Sequence, residues 1–167
     1  KITIPPSLIS IEKFAFLCCK NLKTVEIPEN SQLRVIKMKA FNRTGIESFT
    51  IPNKVTTIEE SALSTCPKLK SIIIPENSEL SSIGRGAFSH TKIESFTIPP
   101  LVTEINPYPF LGCNCLQKVE FAPGSKIKRI GIEAFESTSI ERFSIPSGLT
   151  ELDKGWCWGM KYLNDVI

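Results

Sequence analysis

The stretch Ile51-Pro52-Asn53-Lys54-Val55-Thr56-Thr57-Ile58, followed by Ala62-Leu63-Ser64-Thr65-Cys66, decides the fold because its pattern returns at a fixed distance on both sides. Two interleaved sets of residue pairs, all but one of them Ile-Pro, each recur every 47 residues. The first set is Ile4-Pro5, Ile51-Pro52, Ile98-Pro99 and Ile145-Pro146, and the second is Ile27-Pro28, Ile74-Pro75 and Phe121-Ala122. The unit is therefore 23 or 24 residues long, used alternately. A period of this length predicts a solenoid whose units bury their apolar faces against their neighbours.

The composition is typical of a folded chain, with 41% hydrophobic and 22% charged residues. The net charge is only +3, and the lysines and arginines are spread over the units without a basic block, so we expect no nucleic-acid partner. No apolar run approaches the ~18 residues that cross a bilayer, and we expect no membrane insertion by this segment. The first residues, from Lys1 to Pro5, are interpreted as a repeat strand and not as a signal peptide. We therefore expect residues 1–167 to be one solenoid domain of about seven repeats, cut from a longer protein.

The apolar positions fall into columns that run through every unit, which indicates a continuous stacked core. In the first class of unit the columns are Leu8/Val55/Val102/Leu149, Ile11/Ile58/Ile105/Leu152, Leu22/Leu69/Leu116/Leu163 and Val25/Ile72/Val119/Val166. In the second class they are Leu33/Leu80/Ile127, Ile36/Ile83/Ile130, Ala40/Ala87/Ala134, Phe41/Phe88/Phe135, Ile46/Ile93/Ile140 and Phe49/Phe96/Phe143.

The residues that lead into each proline alternate apolar and polar, as in Phe49-Thr50-Ile51, and this pattern predicts one strand per repeat. Proline lacks a backbone donor and ends the strand. A second, shorter extended segment is predicted from Val55 to Ile58 and at its equivalents. The Ala-Phe segment that follows has room only for a turn or a short 3₁₀ or α-helical piece.

The pattern Leu-x-x-Val-x-Ile-Pro-x-x-Leu-x-x-Ile-x-x-x-Ala-Phe-x-x-Cys resembles the leucine-rich repeats of the BspA-like class, found in surface proteins of oral bacteria and of parasitic or mucosal protists. The resemblance covers residues 2 to 167. It implies a β-rich α/β leucine-rich-repeat solenoid with a parallel sheet on one side and short turns or 3₁₀ or helical pieces on the other. Two departures are pronounced: Pro107-Tyr108-Pro109 distorts the fifth unit, and Trp156-Cys157-Trp158 replaces Ala-Phe in the last one.

The cysteine spacing argues against disulfides between repeats. Cys19, Cys66 and Cys113 share one column but lie two repeats apart, roughly 9.6 Å, whereas a disulfide needs Cα atoms within ~7 Å. Thr44, Thr91 and Thr138 intervene, so the interpretation is a buried column in which thiols alternate with hydroxyls. Cys18-Cys19 and Cys113-Asn114-Cys115 are the only close cysteine sets, and no second pair at ligand spacing supports a metal site.

The sequence offers little for catalysis, and we predict no enzyme activity and no cofactor. The only histidine, His90, falls in a loop after Phe88 and is most simply a solvated residue. A thiol enzyme that pairs Cys66 or Cys113 with His90 stays open as an alternative. No phosphate-binding glycine loop or hydrolase motif is present.

The outward positions of the strands are the candidate binding face: Thr24, Glu26, Ser48, Thr50, Ser71, Ile73, Ser95, Thr97, Lys118, Glu120, Arg142 and Ser144. One position earlier the chain reads Lys23, Glu47, Lys70, Glu94, Gln117 and Glu141, a column of largely alternating charge. These polar residues either keep an open sheet solvated or present an extended binding surface, and both interpretations stay open.

Asn42-Arg43-Thr44 is the only glycosylation sequon, and its position on a loop after Phe41 allows an exposed asparagine.

These features predict a non-catalytic binding scaffold. The family resemblance implies a cell-surface or secreted adhesion module whose protein ligand is a host matrix, host-cell or microbial surface protein, bound by the sheet face or the loops. An intracellular protein-interaction scaffold is the alternative, since the cysteines form no disulfide set. The unpaired strands at the two ends of the solenoid also allow end-to-end self-association.

Overall fold

The computed structural model describes all residues, 1–167, and shows a parallel β-solenoid of about seven turns. Fifteen short strands alternate between two sheets, and no helix is present. The first sheet contains β1 (Ile2–Thr3), β3 (Val25–Glu26), β5 (Ser48–Thr50), β7 (Ser71–Ile73), β9 (Ser95–Ile98), β11 (Lys118–Phe121), β13 (Arg142–Phe143) and β15 (Asp165–Val166). The second contains β2 (Ser10–Ile11), β4 (Val35–Ile36), β6 (Thr57–Ile58), β8 (Ser82–Ile83), β10 (Glu104–Ile105), β12 (Arg129–Ile130) and β14 (Glu151–Leu152). No helix in the structure has the length and apolarity needed to cross a membrane.

The first sheet repeats with the 47-residue period of the sequence. Full ladders join its strands in pairs, β1 with β3, β5 with β7, β9 with β11 and β13 with β15. Successive pairs of strands are joined by isolated backbone hydrogen bonds, such as the one that Glu47 N donates to Lys23 O at 3.3 Å. Two successive turns of the solenoid are therefore the structural repeat on this side.

The second sheet is continuous from β2 to β8 and again from β10 to β14, with a break between β8 and β10. The break precedes Pro107, where the sequence predicts a distorted fifth unit. The distortion is local, because Phe88 N still donates to Pro109 O at 3.0 Å in the turn that follows.

The Ala-Phe segments form turns, so the helical pieces considered as an alternative are absent. Each turn bonds to the next: Phe16 N donates to Ala40 O at 2.8 Å, and Phe41 N donates to Ala62 O at 2.8 Å. Every turn also contains two residues with positive φ, four positions apart, which interrupts the run of right-handed residues that a helix requires. These residues are Phe14/Cys18, Lys39/Arg43, Ser61/Thr65, Gly86/His90, Tyr108/Gly112, Glu133/Ser137 and Gly155/Gly159.

The core lies between the two sheets and the turns, as the columns predict. Phenylalanine rings stack along the solenoid axis, with centroid distances of 5.8 Å for Phe88 and Phe110 and 5.5 Å for Phe110 and Phe135. In the last unit Trp156 contacts Phe143 at 5.0 Å, and the turn ladder persists because Phe135 N donates to Trp156 O at 3.0 Å. The core therefore continues into the irregular last unit, but Leu152 and Val166, which the columns predict to be buried, are 43% and 45% exposed.

Candidate binding surface

The outward side chains of the first sheet form one exposed surface. Strand alternation buries Phe49 and half-buries Ile72, and the register places Ser48 beside Ser71 and Thr50 beside Ile73. All residues of the predicted binding face are exposed: Thr24, Glu26, Ser48, Thr50, Ser71, Ile73, Ser95, Thr97, Lys118, Glu120, Arg142 and Ser144. Their role in binding stays a prediction.

This face is rich in hydroxyl groups in the middle and charged towards its two ends. Ile73 is its one large apolar side chain, 52% exposed, and lies between the threonines of neighbouring strands. Towards one end Lys1 pairs with Glu26 at 2.7 Å, and the Lys1 ammonium and then the Thr3 hydroxyl lower the pKa of the Glu26 carboxyl. Towards the other, Arg142 approaches Asp165 at 3.9 Å. The face thus presents one large apolar side chain surrounded by hydroxyl groups, with charged residues towards both ends.

The predicted column of alternating charge is present beside the sheet, and its backbone links neighbouring strands. Lys70 N donates to Glu47 O at 2.9 Å, and Glu94 N donates to Lys70 O at 3.2 Å. None of the column's side chains lies within 4 Å of an opposite charge, so the expected attraction is between solvated groups and stabilises little. These residues are Lys23, Glu47, Lys70, Glu94, Gln117 and Glu141.

Two pockets open at the carboxyl ends of the strands in the first sheet, where the chain turns off the sheet at each proline. The first has a volume of about 390 Å³ and is lined by Glu29, Thr50, Pro52, Asn53, Pro75 and Asn77 among others. The second, about 420 Å³, is lined by Pro75, Glu76, Thr97, Pro99, Pro100 and Phe121 among others. Seven of the nine residues that line the first pocket have their counterparts 47 positions later in the second. The pockets are equivalent sites that share Pro75, and together we name them the strand-end furrow.

Alternating loop length builds the strand-end furrow. Pro28 and Pro75 precede the next core residue by five positions, whereas Pro52 and Pro99 precede it by three. Both the long loops and the short loops between them contribute lining residues to the furrow.

A buried serine holds each long loop in shape. Ser31 Oγ accepts a hydrogen bond from Leu33 N at 3.2 Å, and Ser78 Oγ accepts one from Leu80 N at the same distance. These serines lie inside the fold. The side-chain turn and a backbone hydrogen bond to the preceding turn together hold each long loop. The sequence reasoning did not identify the furrow residues, although the alternation of loop length was a signal for them.

The column of thiols and hydroxyls is present and buried from the second turn onward. Thr44 Oγ1 lies 3.3 Å from Cys66 Sγ, and Thr91 Oγ1 lies 3.3 Å from Cys113 Sγ. Burial raises the pKa of the Cys113 thiol to about 11, and burial also raises the pKa of Cys66. Cys19 departs from the prediction and is exposed, because the first turn is covered on one side only. All six cysteines are free thiols.

The geometry does not form the nucleophile and base of the alternative thiol enzyme. The hydrogen bonds of Cys113 Sγ go to Thr91 Oγ1 and to Phe88 O at 3.2 Å. The His90 side chain is exposed and lies over Gly112, where a methyl group on the glycine would come within 2.5 Å of His90 Nδ1. A thiol whose pKa is raised is a poor nucleophile at neutral pH. No group of three or more His, Cys, Asp or Glu side chains converges as a metal site would require.

The expected exposure of the sequon residue Asn42 is wrong. Its side chain is 8% exposed and donates from Nδ2 to Ser64 O at 3.1 Å and to Ser64 Oγ. The amide is thus a link between adjacent turns. A glycan on this nitrogen would remove a buried hydrogen bond.

Known families and structures agree with this architecture. The family model for the BspA type leucine-rich repeat region matches residues 1–116 and 34–164 with six copies. No curated protein matches the chain at a significant level.

Three crystal structures share the solenoid. A leucine-rich repeat protein from Bacteroides ovatus is 26% identical, with a TM-score of 0.72 over 90% of this chain and 44% of its own. The T. pallidum leucine-rich repeat protein TpLRR is 24% identical, with a TM-score of 0.70 over 81% of this chain and 61% of its own. The pneumococcal vaccine antigen PcpA is 19% identical, with a TM-score of 0.52 over 98% of this chain and 60% of its own. The chain spans between 44% and 61% of these three relatives. Because the family model covers nearly all of its residues, the chain belongs to the BspA type leucine-rich repeat family.

Proposed function

We propose that this chain is the non-catalytic binding module of a cell-surface or secreted protein, and that it attaches to a host matrix, host-cell or microbial surface protein. The observation that carries the proposal is the exposed first sheet, with Ile73 at its centre among hydroxyl groups. A parallel sheet kept open on its outer face offers a partner a long, rigid surface at little entropic cost. Membership of a leucine-rich repeat family and the description of PcpA as a pneumococcal vaccine antigen support the same interpretation.

Binding to surface proteins tests the proposal directly. The purified chain is applied to immobilised laminin, fibrinogen and collagen, to cultured epithelial cells and to intact bacterial cells, with Ile73→Asp as the test variant. Ile9→Asp is the matched control, since Ile9 is also exposed, by 64%, but lies outside the first sheet. We expect Ile73→Asp to weaken adhesion at least tenfold and Ile9→Asp to leave it unchanged. Absence of adhesion to every surface, or equal loss in both variants, contradicts the proposal.

An intracellular interaction scaffold is the second candidate, and the free thiols favour it. Disulfides are common in secreted proteins, whereas none of the six cysteines here is bonded. Protease treatment of intact cells that express the full-length protein distinguishes the two candidates. Digestion of this region on intact cells supports the surface location, and complete protection until lysis supports the intracellular one.

A further inference from the structure

We propose that the strand-end furrow binds a cationic peptide in the polyproline II conformation, laid along the solenoid axis, with every third residue entering a pocket. This rests on the proposed function, since it names one site and one ligand class for a binding module. Three features of the pockets support this ligand: their spacing, their backbone chemistry and their charge.

The spacing of the two pockets matches the pitch of polyproline II. Equivalent positions such as Thr50 and Thr97 are two turns of the solenoid apart, which is about 9.6 Å at ~4.8 Å per strand. A polyproline II helix rises ~3.1 Å per residue with three residues per turn, so every third side chain returns to one face after about 9.3 Å. In a β-strand, side chains on one face recur after about 6.6 to 6.8 Å, and residues three apart point to opposite faces. Of the two extended conformations, only polyproline II can place successive equivalent side chains in successive pockets.

The backbone of the furrow also disfavours an added β-strand. Proline lacks an N–H donor, and prolines stand where each strand ends, at Pro28, Pro52, Pro75 and Pro99. Their carbonyls already accept bonds from within the loops, for example Pro52 O from Val55 N at 3.0 Å. An added strand would thus find no ladder to join. A polyproline II peptide has no ladder to satisfy and recognises its groove through side chains.

The charge of the furrow selects a cationic ligand. Its charged lining residues are Glu29, Glu76 and Glu120, and no lysine or arginine lines either pocket. Glu120 is paired with Lys118 at 2.7 Å, whereas Glu29 and Glu76 have no ion-pair partner. The nearby Lys54 ammonium is directed to Gln32 Oε1 at 2.8 Å. Two free carboxylates at equivalent positions 47 residues apart, on a chain of net charge +3, form a local acidic site suited to two lysines three residues apart.

Three synthetic peptides of equal length and charge test the inference by fluorescence anisotropy at low salt. The first is Pro-Pro-Lys repeated three times. The second has the same composition, but no two lysines are separated by three residues or a multiple of three: Pro-Lys-Pro-Lys-Pro-Pro-Pro-Pro-Lys. The third is Gly-Ser-Lys repeated three times, which keeps the lysine spacing in a flexible chain. We expect the first peptide to bind at least tenfold more tightly than either of the others.

Paired variants locate the site. Glu29→Gln with Glu76→Gln removes the two free carboxylates, and we expect it to weaken binding of the first peptide at least tenfold. Glu47→Gln with Glu94→Gln is the matched control, because it makes the same charge change at the same 47-residue spacing beside the sheet and outside the furrow. We expect this control to bind like the unchanged protein.

The outcomes separate the furrow from the function as a whole. Equal affinity for all three peptides shows attraction by charge alone and overturns the furrow as a polyproline II site, as does equal loss in the two double variants. If the first peptide fails to bind while Ile73-dependent adhesion persists, the furrow proposal is wrong and the binding module stands. If adhesion and peptide binding are both absent, both proposals are wrong.

Discussion

The side-chain amide of Asn106 donates a hydrogen bond to Ile83 O at 2.7 Å, at a place where other turns use a backbone N–H. In the neighbouring turns Gly84 N donates to Ile58 O at 2.7 Å, and Gly131 N donates to Ile105 O at 2.8 Å. Pro107 restricts the backbone of the residue before it, which explains why Asn106 does not follow the common pattern. The asparagine side chain thereby joins two halves of the second sheet that its backbone leaves apart.

Asn106→Leu is expected to destabilise the protein by about 1 to 3 kcal/mol, because it leaves the carbonyl of Ile83 without its donor in a partly buried site. Urea unfolding followed by circular dichroism measures the change. Asn21→Leu is the control, since Asn21 is exposed and its side chain makes no hydrogen bond within the protein. A decrease in the free energy of unfolding no larger than that of the control would show that water replaces the amide between β8 and β10.

The buried thiols predict a loss of stability in alkali. Burial raises the pKa of Cys113 from 9.0 to about 11 in the folded protein, and it raises the pKa of Cys66 in the same direction. Folding therefore favours the protonated thiols, and their contribution is complete below the unfolded pKa near 9. It is lost as the pH rises from about 9 to about 11.

Replacing both residues, Cys66→Ser with Cys113→Ser, removes these ionisations. We expect the free energy of unfolding of the unchanged protein to fall by about 1 to 3 kcal/mol more than that of the variant between pH 8 and about 11. Cys18→Ser with Cys19→Ser changes two exposed thiols and is the matched control. Parallel pH profiles for all three proteins would contradict the role of burial.

The repeat, most positions of the columns and the exposure of the outward face could be predicted from the sequence because each depends on a pattern that recurs in every turn. The 47-residue period identifies a two-turn unit, and the ladders of the first sheet have that same period. Features that depend on the contact of a single side chain with another turn could not be predicted from the sequence. The Asn42 amide is buried because it reaches Ser64 in the next turn, and nothing in a sequon reports that contact.

The left-handed backbone conformation of residues in the turns could not be predicted from the sequence either. Left-handed residues are usually marked by glycine, but in the turns Thr65, Arg43 and Ser137 adopt positive φ because the ladder to the next turn fixes them there. The furrow was missed because it arises from a difference between alternate loops, whereas the columns are read from what the units share. The most informative positions for function are accordingly those at which the two classes of unit disagree.

Thr65 stores backbone strain that glycine would relieve. Its φ is 55°, a region that costs an L-residue about 1 to 2 kcal/mol, and its β-branched side chain adds to the crowding. Glycine keeps the bond that residue 65 donates from its backbone to Ser89 O at 2.7 Å, but it loses more entropy on folding, by roughly 0.5 to 1 kcal/mol. We expect Thr65→Gly to stabilise the protein by up to about 1 kcal/mol in urea unfolding.

Thr24→Gly is the control for this substitution. Thr24 is an exposed residue beside β3, and its φ is not positive. Glycine there relieves no strain, so we expect a loss of about 0.5 to 1 kcal/mol from entropy alone. Destabilisation of similar size in both variants would show that the turn tolerates threonine without strain.

Phe88 is the central ring of the stack, and its truncation tests whether the ring column is the core. The ring is fully buried, with centroids 5.2 Å from Phe96 and 5.8 Å from Phe110. Phe88→Ala is expected to cost about 3 to 5 kcal/mol, since it removes these contacts and leaves a cavity. Phe14→Ala removes a ring that is 47% exposed and is the control. A cost below about 1 kcal/mol, the level of a surface substitution, would contradict the core assignment.

Because each turn contacts only its neighbours, a loss at the middle of the stack also weakens the coupling between the two ends of the solenoid. We therefore expect one sharp denaturant transition for the unchanged protein and for Phe14→Ala, and a broadened or divided transition for Phe88→Ala.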